Sequence, residues 1–205
     1  MRVESATTTM PQTAYNNLLL QRDGNRYRWE LLENKNLTLQ HLDTNEVLKT
    51  VRLGIECGRL PEDTGTDVPV ILGKFGLLKD GVLNNAAAVL FGKHEDMEYP
   101  QCLLRLARFK GTDKTVFMDS QRIQGNFFQL LNAAMAFIFK HLSLSGTTDT
   151  LEREEHLTIP YKAIREGVLN SLTHRSYKEA GGSVGIAIYD DRVEIENPGT
   201  FPPDW

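Results

Sequence analysis

Apolar and polar positions divide the chain into short, readable stretches. The first forty residues read as short strands and turns. Within them, residues 25–32 (NRYRWELL) alternate between an Asp23-Gly24 turn and an Asn34-Lys35-Asn36 loop, which predicts a strand. Asp43 followed by Glu46 has capping-box spacing, with Asp as the acceptor. Behind it Val47, Leu48, Val51 and Ile55 recur at helical intervals, and Gly58 closes that helix. Residues 59–67, with Pro61 and Gly65, read as a linker. A short helix is expected over about 68–78, stopping at Asp80-Gly81. The continuous apolar run 86–91 predicts a buried strand. Two further strands, 102–109 and 115–118, are expected around a turn at Gly111.

Residues 126–142 predict the longest helix. Phe127, Leu130, Leu131, Ala134, Phe137, Ile138 and Phe139 nearly encircle it, so it belongs at the centre, as core rather than as a cofactor box. A polar loop over 143–155 follows. Thr158 and Pro160 then start a helix to about Thr173, with proline in the tolerated first turn. Strands are expected over 183–189 and 192–197, with Asp190-Asp191 at the tip. Val184, Ile186 and Ile188 share one face of the first strand, and Val193 and Ile195 one face of the second. Arg192, Glu194 and Glu196 take the opposite, wet face. Helix followed by two strands predicts an α/β or α+β sandwich with the helix laid on the sheet, and α+β is the class expected for the chain.

Composition narrows the class without naming a function. The 205 residues are 40% hydrophobic and 24% charged, as in ordinary globular chains. No apolar run approaches the roughly 20 residues that span a bilayer, and MRVESATTTMPQ does not read as a secretory signal, so no membrane partner is expected. Cys57 and Cys102 lie far apart, outside any zinc or disulfide spacing, and a reduced, cytoplasmic setting is expected. The net charge of −4 excludes a uniformly basic coat but not a local patch. Residues 101–125 supply such a patch: Arg105, Arg108, Lys110, Lys114 and Arg122 against Asp113 and Asp119. These read either as a solvated strand face or as a phosphate-contacting surface.

The helix after Pro160 places Glu166 and Asn170 four residues apart, on one face, while Ile164, Val168 and Leu172 form the row that meets the sheet. A carboxylate and an amide one turn apart suit Mg²⁺ with phosphate oxygens, or water held beside a triphosphate. The same spacing suits a Glu favouring the N-terminal helix dipole and an Asn facing solvent. His174 and Arg175 follow the helix, where cations favour its C-terminal dipole. His41, His94, His141 and His156 lack metal-ligand spacing, and neither a P-loop nor a nucleophilic triad is present in the sequence.

Residues 160–203 closely resemble a bacterial family of RecG-helicase-related proteins or transcriptional regulators. These combine a Schlafen/AlbA-type DNA-binding domain with a degenerate GHKL-type ATPase domain. The resemblance is carried by R-E-x-x-x-N at Arg165 to Asn170, H-R-x-Y at His174 to Tyr177, D-D-R-x-E-I at Asp190 to Ile195, and N-P-G at Asn197 to Gly199. Residues 76–93 (GLLKDGVLNNAAAVLFGK) also resemble the family's connecting segment, and MRVESATTTMPQ looks like the end of its Schlafen/AlbA-type domain. Ser176 stands where the family commonly has Asp.

The resemblance implies Glu166 on the attacking water and Asn170 on Mg²⁺. It also places Asn197 where an Asp meets adenine, with Gly199 allowing close backbone approach and His174 and Arg175 among the cofactor-binding positions. It implies two small α/β units, the second a partial GHKL-like helix-on-sheet sandwich. The boundaries are 1–58 for a Schlafen/AlbA-type remnant plus helix, 59–156 for a connecting segment, and 157–205 for the GHKL-like part. Because Trp205 falls before the family's glycine-rich lid, the chain reads as a fragment, with ATP and Mg expected only in a full-length parent. DNA is the expected partner, with a homo-oligomer as a further expectation. The alternatives are an ATP-hydrolysing enzyme in that parent, or a ligand-free interaction module.

Overall fold

The computed structural model describes residues 2–3, 6–7, 28–93, 99–142, 144–147, 154–157, 159–179 and 181–199. The first pair, β1 (Arg2–Val3) and β2 (Ala6–Thr7), is a minimal antiparallel ladder. The strand expected over 25–32 is not found: Trp29–Leu31 form a 3-10 turn, and 25–27 lie outside the described residues. Tertiary contacts override the alternation here. The Trp29 ring meets Tyr99 edge-on at 5.4 Å and stacks on Tyr177 at 6.4 Å, and its carbonyl accepts from Asn85 Nδ2.

Helix α1 (Thr44–Glu56) forms where the pattern places it. Asp43 accepts from the backbone N–H groups of Asn45 and Glu46, Val47 and Val51 are buried, and Gly58 takes φ +66° beyond the end. The 59–67 connection contains one 3-10 turn, Glu62–Thr64. Helix α2 (Val68–Lys74) is shorter than expected. Asp80-Gly81 is instead the tip of a small hairpin, β3 (Leu78–Lys79) and β4 (Val82–Leu83), with positive φ at both residues.

The buried strand expected over 86–91 is a helix, α3 (Asn85–Phe91). Asn84 caps it by accepting from Ala87 N–H, and three successive alanines carry the highest helix propensity. The run is continuously apolar because Ala87, Ala88, Val89 and Phe91 are all buried. Periodicity cannot separate a short buried helix from a strand. These helices share one core, with Leu42, Val47, Val51, Ile71, Leu72, Leu83 and Phe91 at its centre.

A second core is built on a four-stranded sheet. Strand β5 (Leu103–Phe109) pairs antiparallel with β6 (Phe117–Gln124), which starts later and runs further than the expected 115–118. Helix α4 (Phe127–His141) follows, capped by a reciprocal pair of bonds between Asn126 and Gln129. Part of the expected polar loop is strand: β7 (Leu144–Thr147) pairs with β8 (Glu154–Leu157). Helix α5 (Tyr161–Thr173) leads into the hairpin β9 (Val184–Ile188) and β10 (Val193–Glu196).

The sheet order is β10-β9-β5-β6, with β9 parallel to β5. Leu104, Leu106, Val184, Ile186 and Ile188 point to one face, under Leu130, Ala134 and Ile138 of α4 and Ile164, Val168 and Leu172 of α5. The hairpin expected to belong to a unit beginning at 157 therefore shares both sheet and core with β5 and β6. The two cores meet at α3 and α4, where Phe91 stacks on Phe128 at 5.7 Å and Asn126 Nδ2 donates to the Gly92 carbonyl at 3.0 Å. The fold is α+β.

Candidate functional site

The inner row Ile164, Val168 and Leu172 fixes the rotation of α5 and leaves Glu166 and Asn170 on its exposed side. Asn170 Nδ2 donates to Glu166 Oε1 at 3.2 Å. That bond leaves the second carboxylate oxygen and the amide oxygen to solvent or a ligand. Two oxygens of this kind suit a hard cation already held by phosphates. Among the described residues, no group of three or more His, Cys, Asp or Glu is arranged to hold a metal ion by itself.

The far end of α5 meets the end of the β9–β10 hairpin. His174 N–H donates to Asn170 O at 2.9 Å, and Ser176 N–H donates to Pro198 O at 2.7 Å. Gly199 lies so close that a Cβ there would stand 3.1 Å from His174 O and 3.5 Å from Asn197 Nδ2. Glycine fits that approach as it stands, whereas a side chain would need the neighbouring backbone to give by a few tenths of an ångström. The fold thus gathers Asn170, His174, Asn197 and Gly199 at one end of α5, with Glu166 one turn back. Ser176 contributes its backbone N–H to this junction, so that bond does not depend on its side chain.

Arg175 departs from its expected place beside the helix dipole. It is 5% exposed, and its Nη1 donates to the Gln101 carbonyl rather than to the carbonyls ending α5. Its guanidinium lies 5.0 Å from the Tyr177 ring, whose hydroxyl donates to Leu172 O at 2.8 Å. Arg175 Nε and Nη2 and Gln101 Oε1 are buried without partners. Burial lowers the Arg175 pKa and raises that of Tyr177. Burial also pushes the Cys102 thiol up to about 12, with the nearby guanidinium opposing it. Sequence reasoning missed this cluster because a lone Gln and a lone Cys carry no spacing signal.

The five bases of 101–125 separate into different environments. Arg105 and Arg122 sit directly opposite each other on β5 and β6, exposed, on the sheet face away from α4 and α5. Lys114 leans toward Glu194 and Glu196, 3.9 Å from each. Lys110 is exposed in the turn. Arg108 points to the helix side of the sheet, where its Nη2 meets Asp190 Oδ1 at 2.5 Å and Nη1 donates to the carbonyls of Phe109 and Ile188. Asp190 also accepts from Gly111 N–H at 2.7 Å. Its Arg108 partner, first, and that backbone bond hold the carboxyl below the ordinary carboxylate value. Arg108 is therefore committed to tying two turns together. Of the histidines, His141 pairs with Asp119 at 2.8 Å and His41 bonds Thr38, while His94 and His156 lie outside the residues whose side chains are described.

No family model matches the chain, and no curated protein matches it. Among solved structures it is similar to the crystal structure of the DIP2311 protein from Corynebacterium diphtheriae, with a TM-score of 0.65 at 14% identity. The match covers 98% of this chain and 39% of that one, so the chain spans about two-fifths of that protein's length. The likeness is one of fold. Among the described residues, no helix is long and apolar enough to cross a membrane.

Proposed function

We propose that this chain is a segment of a cytoplasmic, DNA-associated transcriptional regulator of the RecG-helicase-related kind, in which a disarmed GHKL-like cradle serves as scaffold or switch. The observation that carries the DNA reading is the Arg105–Arg122 pair. Like charges directly opposite in a ladder destabilise it, and neither guanidinium has an ion-pair partner among the described residues. Phosphate oxygens relieve that repulsion and supply the missing counter-charge. The scaffold reading is supported by the bond between Asn170 and Glu166, which ties the two to each other, and by an uncharged amide at Asn197 where the family's cradle has a carboxylate.

Duplex-DNA shift assays across a salt series test the proposal. Neutralising both residues, Arg105→Gln with Arg122→Gln, should reduce the log affinity–log salt slope by roughly 1.8, about 0.9 per phosphate contact. An unchanged slope removes this face from DNA binding. ATP with Mg²⁺, titrated calorimetrically, is expected to give no heat with this chain. Heat that disappears in Glu166→Ala would favour the alternative of an ATP-hydrolysing parent, with Glu166 on water, Asn170 on Mg²⁺ and Asn197 on adenine.

A further inference from the structure

The sheet face away from α4 and α5 carries an open hollow of about 560 Å³. Arg105 and Arg122 line it at one end, and Phe109 and Phe117 line it at the other. Positions 105, 107 and 109 share that face of β5, so four residues, roughly 13 Å of strand, separate the arginines from the rings. Between them Ala107 lies opposite Ser120 on one side and Ala187 on the other, which keeps the floor low.

Phe117 is the unusual group, because it is 63% exposed while standing in a row of packed rings. Its centroid lies 4.5 Å from that of Phe109, which stacks on Tyr189 at 5.2 Å, and the Arg192 guanidinium covers Tyr189 at 4.0 Å. Phe109 and Tyr189 are buried, so they hold the row in place and Phe117 is the ring in it that is open to solvent. Charge divides the same face. Arg105 and Arg122 are exposed and have no ion-pair partner among the described residues, whereas Glu194 and Glu196 on β10 share Lys114, 3.9 Å from each. An anionic chain is therefore drawn along β5 and β6 rather than across β10.

We propose that this face binds single-stranded DNA, with phosphates on Arg105 and Arg122 and a base stacked on the ring of Phe117. The inference rests on the DNA reading of the arginine pair and adds strandedness to it. A duplex turns its phosphates outward and keeps its bases stacked on one another, so an open sheet face meets only its charge. A single strand lays a base on an exposed ring, and such stacking is tolerant of sequence because every base has a π-face.

Fluorescence anisotropy with the 205-residue chain tests this, using a labelled thymidine oligomer of about 12 nucleotides, an abasic oligomer of equal length and the matching duplex. The abasic oligomer keeps every phosphate and lacks the bases. The thymidine oligomer should bind at least about fivefold more tightly than the abasic one, the contribution of one stacked base, and more tightly than the duplex at the same salt. Phe117→Ala should remove that advantage while leaving the salt slope unchanged, and Phe117→Trp should keep it, since stacking needs a ring and no charge. Arg105→Gln with Arg122→Gln should lower the single-strand slope by roughly 1.4, about 0.7 per phosphate contact. Ser120→Glu sets a carboxylate at an exposed position between the ring and the arginines, and should weaken binding at least as far as Phe117→Ala, with circular dichroism intact. Equal binding of the thymidine and abasic oligomers, a duplex held as tightly as the single strand, no binding of any oligomer, or an affinity indifferent to Phe117→Ala would each overturn the inference. When it is overturned and the arginine variant still lowers the duplex slope, the regulator reading stands without it; slopes unchanged on both ligands remove both.

Discussion

Asn126 is fully buried where the two cores meet, and three of its polar groups are committed at once. Its Oδ1 accepts from Gln129 N–H, its own N–H donates to Gln129 Oε1, and its Nδ2 donates to the Gly92 carbonyl, each at 3.0 Å. Asn126→Ala removes the cap of α4, worth about 1 kcal/mol. It also strips the donor from a buried carbonyl, costing about 1–3 kcal/mol more. The expected loss is therefore about 2–4 kcal/mol. Asn126→Ser restores a capping oxygen but no donor for Gly92, so it should recover about 1 kcal/mol of that loss. Asn126→Asp keeps the cap but aims a buried carboxylate at a carbonyl, and should be no better than alanine. Urea denaturation reads this directly: with a slope near 2 kcal/mol/M, the alanine midpoint should fall by about 1–2 M. An alanine variant within about 0.5 kcal/mol of the wild type, or indistinguishable from serine, would refute this account of the junction.

The Arg108–Asp190 pair predicts an acid-side signature. The Asp190 carboxyl is held below its ordinary value of 3.8 in the folded state, so its contribution is present above that value and fades as pH falls below it. Melting temperatures of wild type and Asp190→Asn should converge at low pH, and a constant difference down to pH ~2.5 would contradict the linkage. The cysteines should separate by reactivity. Exposed Cys57 is expected to react promptly with a thiol reagent at pH ~8, while Cys102, buried and raised to about 12, should react only on unfolding. Two fast equivalents in the native protein would show that Cys102 is open to solvent.

The elements read best from sequence were those whose local signals agreed with one another. Asp43 with Glu46 and Val47, Val51 and Ile55 marked α1, where cap and periodicity point the same way, and the length of the apolar stretch 126–142 marked α4. The 86–91 run failed because burial on all sides erases the pattern by which helix and strand are told apart. The 25–32 segment failed because Trp29 is placed by Tyr99, Tyr177 and Asn85, partners 56 or more residues away in sequence. At the candidate site, the Glu166–Asn170 pairing was legible from helical spacing alone, whereas the different fates of the five bases were not.

By itself the sequence determined what depends on neighbours along the chain. It set which stretches become capped helices and a hairpin, which face of α5 is apolar, and that glycine stands at position 199. Only the tertiary structure decided that β9 lies parallel to β5, that Arg108 is spent on Asp190, and that Arg175 is buried with two idle nitrogens. Local spacing fixes a side chain's direction within its own element. Its charge environment depends on desolvation and on distant partners, which exist only once separate elements have packed.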